Sequence, residues 1–395
     1  MYAAPLVRDY RDVAALVGLS DANRLRMAYA NQALGTDIPT FTDFDAMLEQ
    51  TEPETVIVAT MDGTHHRFII RALEAGCDVI TEKPLTIDEE KCRAILAAEE
   101  RTGRTVTVTF NYRYISHHSK IRELVQQGAI GRVLSVDFHW YLDTQHGADY
   151  FRRWHRRMSN SGGLLVHKAS HHFDLVNWWL DTEPEEVFAW GALRFYGPTR
   201  EERGERCLTC RYRDTCAFYF DLGSREHLRQ LYLQAESEDG YYRDRCVFSE
   251  EIDIYDTMTV AVRYANGACM SYSLNAFMPY EGYRLAINGD RGRLEADLLE
   301  RAPGRSEPPR FELRLAPHFQ PAEEIEVALA SGEHGGGDRR LRDALFRDTG
   351  PDPLARQADS RAGALATLTG AAANRSIQWG RPVTIQELLQ PEPPS

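Results

Sequence analysis

Short apolar runs alternate with amphipathic stretches over the first 110 residues. The runs predicted to be strands are LVGLS (16–20), TVIVAT (55–60), DVIT (78–81) and TVTVTF (105–110). Between them, apolar residues recur with a helical period over 23–34, 65–75 and 88–101, and Gly76 and Gly103 follow the last two stretches, as is typical of helix ends. This alternation predicts parallel strands joined by helices, as in a doubly wound α/β domain.

The pattern changes after Asn111. Longer alternating strands follow one another without intervening helices, as in VLSVDFHWYL (133–142), TMTVAVRY (257–264) and CMSYSLNAF (269–277), and helices are predicted at 164–180 and near 365–379. We therefore predict an α/β protein of two domains: a Rossmann-like domain over 1–112, and an α+β domain over 113–390 with an open, mostly antiparallel sheet and a Cys-rich insertion at 200–250.

Composition restricts the possible partners. The 395 residues include 43% hydrophobic and 27% charged residues, which excludes a wholly disordered chain. The formal charge of −13 disfavours nucleic acid and anionic membrane surfaces. No apolar run is long enough to span a bilayer, and the first residues do not resemble a secretion signal, so we expect a cytoplasmic protein that acts on a small molecule.

An acidic residue follows the first predicted strand. A carboxylate there, at Asp21, can accept hydrogen bonds from an adenosine ribose and repel a 2′-phosphate, which favours NAD over NADP. Two alternatives stay open: Asp21 could instead cap the helix that starts near Asn23, and Arg24 could accommodate a phosphate.

Four segments together carry a family resemblance. VIVATMDGTHH, CDVITEKPLTIDE, NYRY (111–114) and GGLLVHKASHHFD, in this order, resemble the Gfo/Idh/MocA family of NAD(P)-dependent sugar and polyol oxidoreductases, which includes inositol 2-dehydrogenases and glucose-fructose oxidoreductases. The resemblance implies that Lys83 reaches the substrate hydroxyl and the nicotinamide, and that a cis bond precedes Pro84. The residues expected to contact NAD, or NADP, are Asp21, Thr60, His65, Glu82, Lys83, Pro84 and Asn111.

One family element is absent from this sequence. The family opens with a strand and a Gly-x-Gly-x-x-Gly turn, whereas residues 1–10 here already resemble the helix that follows that turn. The absent strand is central in the usual order, so LVGLS and TVIVAT would lose their shared partner. We interpret the chain as the product of a late start site or shortened gene model; alternatively, a partner fills the gap or the cofactor has been abandoned.

Ionisable residues cluster on the predicted helix over 164–180. At about 100° per residue, His167, Lys168, His171 and Asp174 share one face about 120° wide. By its match to the family motif, His171 is predicted to be the acid/base, with Lys83 polarising and deprotonating the reacting hydroxyl. Lys168, the third predicted catalytic residue, would bind substrate oxygens or shift the pKa values of its neighbours. A metal held by His167 and His171 is a weaker alternative.

Substrate contacts are predicted on both sides of the domain boundary. Arg113, Tyr114, His167 and Asp174 are the candidates, although Arg113 could equally form an ion pair between the domains. The predicted reaction is hydride transfer between NAD(P) and a secondary hydroxyl of a sugar, polyol or inositol derivative. The alternatives are an NAD-dependent glycoside hydrolase of the same fold and a non-catalytic sugar-binding protein. Copies of the chain are expected to associate through the free face of the second sheet.

Four of the seven cysteines lie in the insertion. Cys207, Cys210, Cys216 and Cys246 have a spacing that suits a structural tetrahedral zinc site, with reversible disulfides or free thiols as alternatives. Cys77, Cys92 and Cys269 are predicted to be small core residues.

Overall fold

The N-terminal domain combines short strands with five helices. In the computed structural model, which describes residues 1–302, 308–330 and 332–390, its strands are β1 (Leu19–Ser20), β2 (Thr40–Phe41), β3 (Thr55–Val58), β4 (Asp78–Thr81) and β5 (Val106–Val108). Its helices are α1 (Ala3–Arg8), α2 (Arg24–Leu34), α3 (Phe44–Thr51), α4 (His65–Glu74) and α5 (Glu89–Thr102). The predicted alternation of strands and helices is confirmed.

The strands of this domain are divided between two sheets. β3, β4 and β5 pair in parallel, while β1 and β2 form a separate parallel pair. LVGLS and TVIVAT therefore lie in different sheets, and only the last two residues of LVGLS are in the ladder.

Local capping explains where the helices begin and end. The Asn23 side chain accepts a hydrogen bond from the backbone N–H of Arg26 and so starts α2, and Asp88 starts α5 in the same way. Gly103 ends α5 in a left-handed conformation, with φ of 65°, which a residue without Cβ adopts at low cost.

The C-terminal domain is built on a nine-stranded sheet. Its strands are β6 (Val133–Asp143), β7 (Pro184–Ala192), β8 (Thr257–Tyr264), β9 (Cys269–Met278), β10 (Glu281–Gly289), β11 (Gly292–Arg301), β12 (Arg310–Pro317), β13 (Glu323–Glu324) and β15 (Val383–Thr384). The order is β13-β12-β11-β10-β6-β9-β8-β7-β15, and every neighbouring pair is antiparallel except β6 with β9. The predicted mostly antiparallel sheet is confirmed.

Ten helices belong to the described part of this domain. They are α6 (Ser116–Gln126), α7 (His146–Arg152), α8 (Met158–Ser161), α9 (Leu164–His167), α10 (Ala169–Leu180), α11 (Glu226–Leu228), α12 (Glu236–Asp239), α13 (Gly337–Phe346), α14 (Ser360–Trp379) and α15 (Ile385–Leu389). Of these, α7, α14 and α15 pack on its sheet. Residues of β8 and β9 alternate between buried and exposed, so the opposite face is open. Cys269 lies on that open face, so its predicted core position is wrong, whereas Cys77 and Cys92 are buried. In the described ranges, no helix combines the length and the hydrophobicity needed to cross a membrane.

Two contacts tie the end of the chain to the site region. A short strand, β14 (Ala358–Asp359), pairs antiparallel with β5 and extends the N-terminal sheet. Helix α14 packs closely on α9 at Gly370, where an added Cβ would lie 2.2 Å from the carbonyl oxygen of Leu165. The small residue therefore lets α14 support the helix that carries His167.

Candidate active site

Lys83 lies where the two domains meet. It follows β4, precedes Pro84 through a cis peptide bond, and its Nζ donates a hydrogen bond of 3.2 Å to the backbone carbonyl of His167 in the other domain. Burial lowers the pKa of Lys83 to about 8, although the carboxylates of Asp62 and Glu82 act in the opposite direction. An amine with this pKa is partly neutral near pH 8 and can accept a proton.

His167 is held by a carboxylate of the N-terminal domain. Its Nδ1 lies 2.5 Å from Oδ2 of Asp62, which belongs to the turn after β3. Burial, and then the charge of Lys83, lower the pKa of His167 well below its usual value, so the ring is neutral at pH 7. This contact occupies Nδ1 of the imidazole, while the backbone of the same residue holds Lys83.

The predicted continuous helix over 164–180 is interrupted at Lys168. α9 ends at His167 and α10 begins at Ala169, while Lys168 between them keeps right-handed helical angles, with φ of −94° and ψ of −48°, so the shared face of the four ionisable residues stays a prediction. The Lys168 ammonium donates a hydrogen bond of 3.0 Å to the hydroxyl of Tyr112 and lies 5.0 Å from the ring centroid of Trp140. Lys168 is therefore held in an aromatic enclosure next to the site.

His171 belongs to the same group of residues. Its ring stacks on that of Tyr112, with centroids 4.1 Å apart and planes at 8°. Burial lowers its pKa well below the usual value, and the next causes are the charges of Lys83 and Lys168. The Nδ1 atom of His171 is buried and has no hydrogen-bond partner within the described ranges. The structure thus brings Lys83, Lys168 and His171 into one electrostatically coupled cluster.

Arg113 and Asp174 bind each other. Nε and Nη2 of Arg113 donate to the two carboxylate oxygens of Asp174 at 2.8 and 2.6 Å, and both side chains are buried. This bidentate pair is the ion pair that the sequence left open for Arg113, and contact of either residue with substrate stays a prediction. Tyr114, also predicted to contact substrate, is buried, with its ring centroid 5.8 Å from the guanidinium carbon of Arg356.

Two of the predicted cofactor residues have side-chain partners, Asn111 in the other domain and Glu82 in its own domain. Nδ2 of Asn111 donates a hydrogen bond of 2.6 Å to Oδ1 of Asp338. The Oδ1 atom of Asn111 is buried without a partner in the described part of the chain. Glu82 accepts a hydrogen bond of 2.8 Å from the hydroxyl of Tyr2. The Asn111 amide thus keeps a free acceptor for a ligand.

His65 has a structural position instead. Its ring is fully buried, and its two nitrogens lie 3.0 Å from the carbonyl oxygens of Pro84 and Thr60. The ring is enclosed by these contacts, and the predicted contact of His65 with the cofactor stays a prediction. The residue joins the loop after β3 to the turn that carries Lys83.

Asp21 lies directly after β1 and is exposed. Its Oδ1 accepts a hydrogen bond of 2.7 Å from the backbone N–H of Asn23. The helix cap itself is Asn23, so Asp21 supports the turn into α2 and stays at the carboxyl end of the strand.

Sequence reasoning missed several residues of the cluster. Asp62 could have been found by the argument applied to Asp21, since it too is acidic and follows a strand. Tyr112 lies within the quoted NYRY segment, but its neighbours were chosen instead. The ring of His155 lies 4.2 Å from that of His167, and the charge of Arg153 contributes to lowering the pKa values of Lys83 and His155; no spacing signal marks either residue.

The four cysteines of the insertion line one small cavity. Arg152 donates to Sγ of Cys207 at 3.2 Å, and Arg200 donates to Sγ of Cys216 at 3.0 Å. In the described part of the chain, no three His, Cys, Asp or Glu side chains are grouped closely enough to hold a metal ion, and the cysteines are unpaired. The zinc site predicted at Cys207, Cys210, Cys216 and Cys246 is thus not supported, since guanidinium groups contact two of the sulfurs.

A Rossmann-like domain followed by an α/β domain with a mostly antiparallel sheet, with a buried lysine between them, is the arrangement of a class of dinucleotide-dependent oxidoreductases. The description "Oxidoreductase family, NAD-binding Rossmann fold" matches residues 1–110, and "Oxidoreductase family, C-terminal alpha/beta domain" matches residues 122–385. The chain belongs to the Gfo/Idh/MocA oxidoreductase family.

Relatives agree with this assignment. YteT of Bacillus subtilis (strain 168), an oxidoreductase by name, is 42% identical over 413 residues, which cover 99% of this chain and 96% of YteT. Inositol 2-dehydrogenase of Rhizobium meliloti (strain 1021) is 29% identical over 46% of this chain and 52% of its own length.

Solved structures show the same fold. The WlbA dehydrogenase of Bordetella pertussis, in complex with NADH and UDP-GlcNAcA, has a TM-score of 0.64 at 20% identity, covering 95% of this chain and 91% of that chain. The aldose-aldose oxidoreductase of Caulobacter crescentus, complexed with glycerol, has a TM-score of 0.63 at 16% identity, covering 97% and 96%.

The residues present fit a nicotinamide dinucleotide. The buried, unpartnered oxygens of Asn111 and Thr86 and the unpartnered Nδ1 of His171 are polar atoms that a bound ligand would satisfy. Asp21, at the carboxyl end of β1, is the carboxylate suited to a ribose. Lys83, Asn111 and Asp21 are the residues that would hold the cofactor.

Proposed function

We propose that this protein oxidises a secondary hydroxyl group of a sugar, polyol or inositol derivative with NAD as the preferred dinucleotide. The observation that carries the proposal is the interdomain position of Lys83, whose amine has a pKa lowered to about 8 and lies beside the neutral His171. When bound, the nicotinamide supplies the hydride acceptor.

The protein's own groups manage the proton. Neutral Lys83 accepts the hydroxyl proton of the substrate, and the His167 carbonyl fixes the position of its Nζ. Neutral His171, stacked on Tyr112, orients the same hydroxyl by a hydrogen bond. Lys168 keeps the region cationic, which disfavours protonation of Lys83.

Substrate class rests on the relatives and on the polar character of the site. This chain matches the inositol 2-dehydrogenase of Rhizobium meliloti over about half of that enzyme's length. The structures of WlbA and of the aldose-aldose oxidoreductase contain a sugar nucleotide and glycerol, respectively. From these relatives we infer that the substrate is a small polyhydroxylated molecule. Association of copies through the open sheet face stays a prediction.

Substitution of Lys83 tests the proposal. Lys83→Ala should lower the rate of NADH formation from the best substrate among inositols, aldoses and polyols by about 10²- to 10⁴-fold, because it removes the proton acceptor. The far-UV spectrum should be unchanged, and NAD binding is measured by fluorescence quenching so that the rates are compared at a saturating concentration of NAD.

Lys120→Ala is the matched control, since that lysine pairs with Glu123 on α6, away from the site. Wild-type turnover by the Lys83→Ala variant would contradict the proposal. Cleavage of a nitrophenyl glycoside without net NADH would favour the glycoside hydrolase alternative, and NAD binding without turnover of any substrate would favour the non-catalytic one.

A further inference from the structure

The Cys-rich insertion reaches back to the N-terminal domain. Its segment 229–239 docks at the start of α2. There, Nδ2 of the fully buried Asn23 donates a hydrogen bond of 2.8 Å to the carbonyl oxygen of Ala235. Nε of Arg26 donates to the carbonyl of Leu231 at 3.3 Å, and Arg26 pairs with Asp239 at 2.7 Å. Several polar contacts therefore hold the insertion on the edge formed by β1 and α2.

The other side of the insertion is held by charge pairs. Arg206 binds Glu236 and Asp244 at 2.6 and 2.7 Å, and Arg243 binds Asp149 on α7 at 2.7 Å. Because these side chains are largely buried, the segment is fixed and does not hang freely over the cleft. Its acidic side chains thus have defined positions next to the carboxyl end of β1.

One of these side chains occupies the start of α2. A carboxylate oxygen of Glu238 accepts hydrogen bonds from the backbone N–H groups of Arg24 and Leu25, the latter at 3.4 Å. Free N–H groups at a helix start attract anions, and phosphate groups of ligands often bind there. In this protein a carboxylate of the chain already takes that place.

The position matters because of Asp21. In dinucleotide-binding domains the carboxylate that follows this strand binds the adenosine ribose, and NADP carries its extra phosphate on that same ribose. An incoming phosphate would meet the carboxylates of Glu238 and Asp21 and would find the N–H groups of Arg24 and Leu25 occupied.

Two arginines belong to the first turn of α2. The Arg26 guanidinium is already paired with Asp239, and the Arg24 side chain lines a groove together with Asn31 and Thr40. The sequence allowed Arg24 to accept a phosphate, and in the structure its backbone N–H is occupied by Glu238.

We propose that Glu238 is a specificity-determining residue, contributed by the insertion, that excludes the 2′-phosphate of NADP and so selects NAD. This inference rests on the proposed function, since it concerns the dinucleotide of that reaction. It assigns to the insertion a role in cofactor recognition, although the insertion belongs to the other domain.

Binding of the two dinucleotides tests the role of Glu238. Dissociation constants of NAD⁺ and NADP⁺ are measured by isothermal titration calorimetry for the wild type and for Glu238→Gln. The substitution removes the charge but keeps an acceptor for the backbone N–H groups, so NADP⁺ should bind about tenfold more tightly while NAD⁺ binding stays unchanged.

Glu226→Gln is the matched control, because its exposed carboxylate belongs to the same insertion and pairs with Arg229. That variant should keep the wild-type ratio of the two constants. An unchanged ratio in a folded Glu238→Gln protein that binds NAD⁺ would overturn this inference alone. A wild-type protein that binds neither dinucleotide would overturn the proposed function and this inference together.

Discussion

Lys83 shows how one residue obtains its chemistry from its surroundings. Its ammonium is expensive to bury, and this cost exceeds the attraction of Asp62 and Glu82, so the pKa is lowered to about 8. The nearby cations Lys168 and Arg153 add to the effect. The amine is therefore available as a base close to neutral pH, where an unperturbed lysine is almost fully protonated.

The pH dependence of the reaction follows from this pKa. Below pH 8 Lys83 carries a proton and cannot accept another, whereas above it the amine is neutral. In the oxidation direction, kcat/KM should therefore rise with pH and level off above about 8.

Lys168→Met should move this rise to higher pH, because removing the neighbouring cation stabilises the protonated form of Lys83. Lys120→Met should leave the profile in place. A Lys168→Met profile that coincides with the wild type, or moves to lower pH, would show that the two amines are not coupled.

At the scale of elements, the sequence predicted one helix over 164–180, whereas the structure divides it between α9 and α10 at Lys168. The apolar pattern over 164–180 correctly predicted helix but contains no proline or internal glycine that marks an interruption at Lys168. His171 and Asp174 both lie on α10, so the break at Lys168 does not separate them, and they differ instead in the side chains that they contact. The partner of Asp174 is Arg113, which comes from a distant turn.

The Arg113–Asp174 pair should contribute strongly to stability. Asp174→Asn leaves a buried guanidinium without its counter-charge and should lower the free energy of unfolding by about 3–5 kcal/mol. Glu183→Gln, which breaks the exposed pair with Arg361, should cost less than about 1 kcal/mol. Urea unfolding monitored by fluorescence measures both, and equal losses would contradict the assignment of a special role to the buried pair.

Across the whole molecule, the two-domain architecture was predictable because strand and helix periodicity differ between the halves. The mostly antiparallel order of the second sheet also followed from strands without intervening helices. Contacts between distant segments were not predictable, such as the docking of residues 229–239 on α2 or the pairing of His167 with Asp62. They depend on tertiary packing, which a single sequence does not encode in any local period.

Strand β14, which the C-terminal half contributes to the N-terminal sheet, and the contacts between the domains predict that both domains unfold together. All six tryptophans lie beyond residue 139, so their fluorescence reports on the C-terminal domain, whereas far-UV ellipticity reports on helices of both domains. The two signals should change at the same urea concentration. Separate transitions would show that the domains unfold independently.

Strand β14 has a consequence for biosynthesis. Since Ala358 and Asp359 complete the sheet that begins with residue 55, the ribosome releases the last strand of the nucleotide-binding half only after most of the polypeptide has been made. The edge of β5 is therefore uncovered during most of translation, and until then its unpaired N–H and C=O groups can pair with another chain.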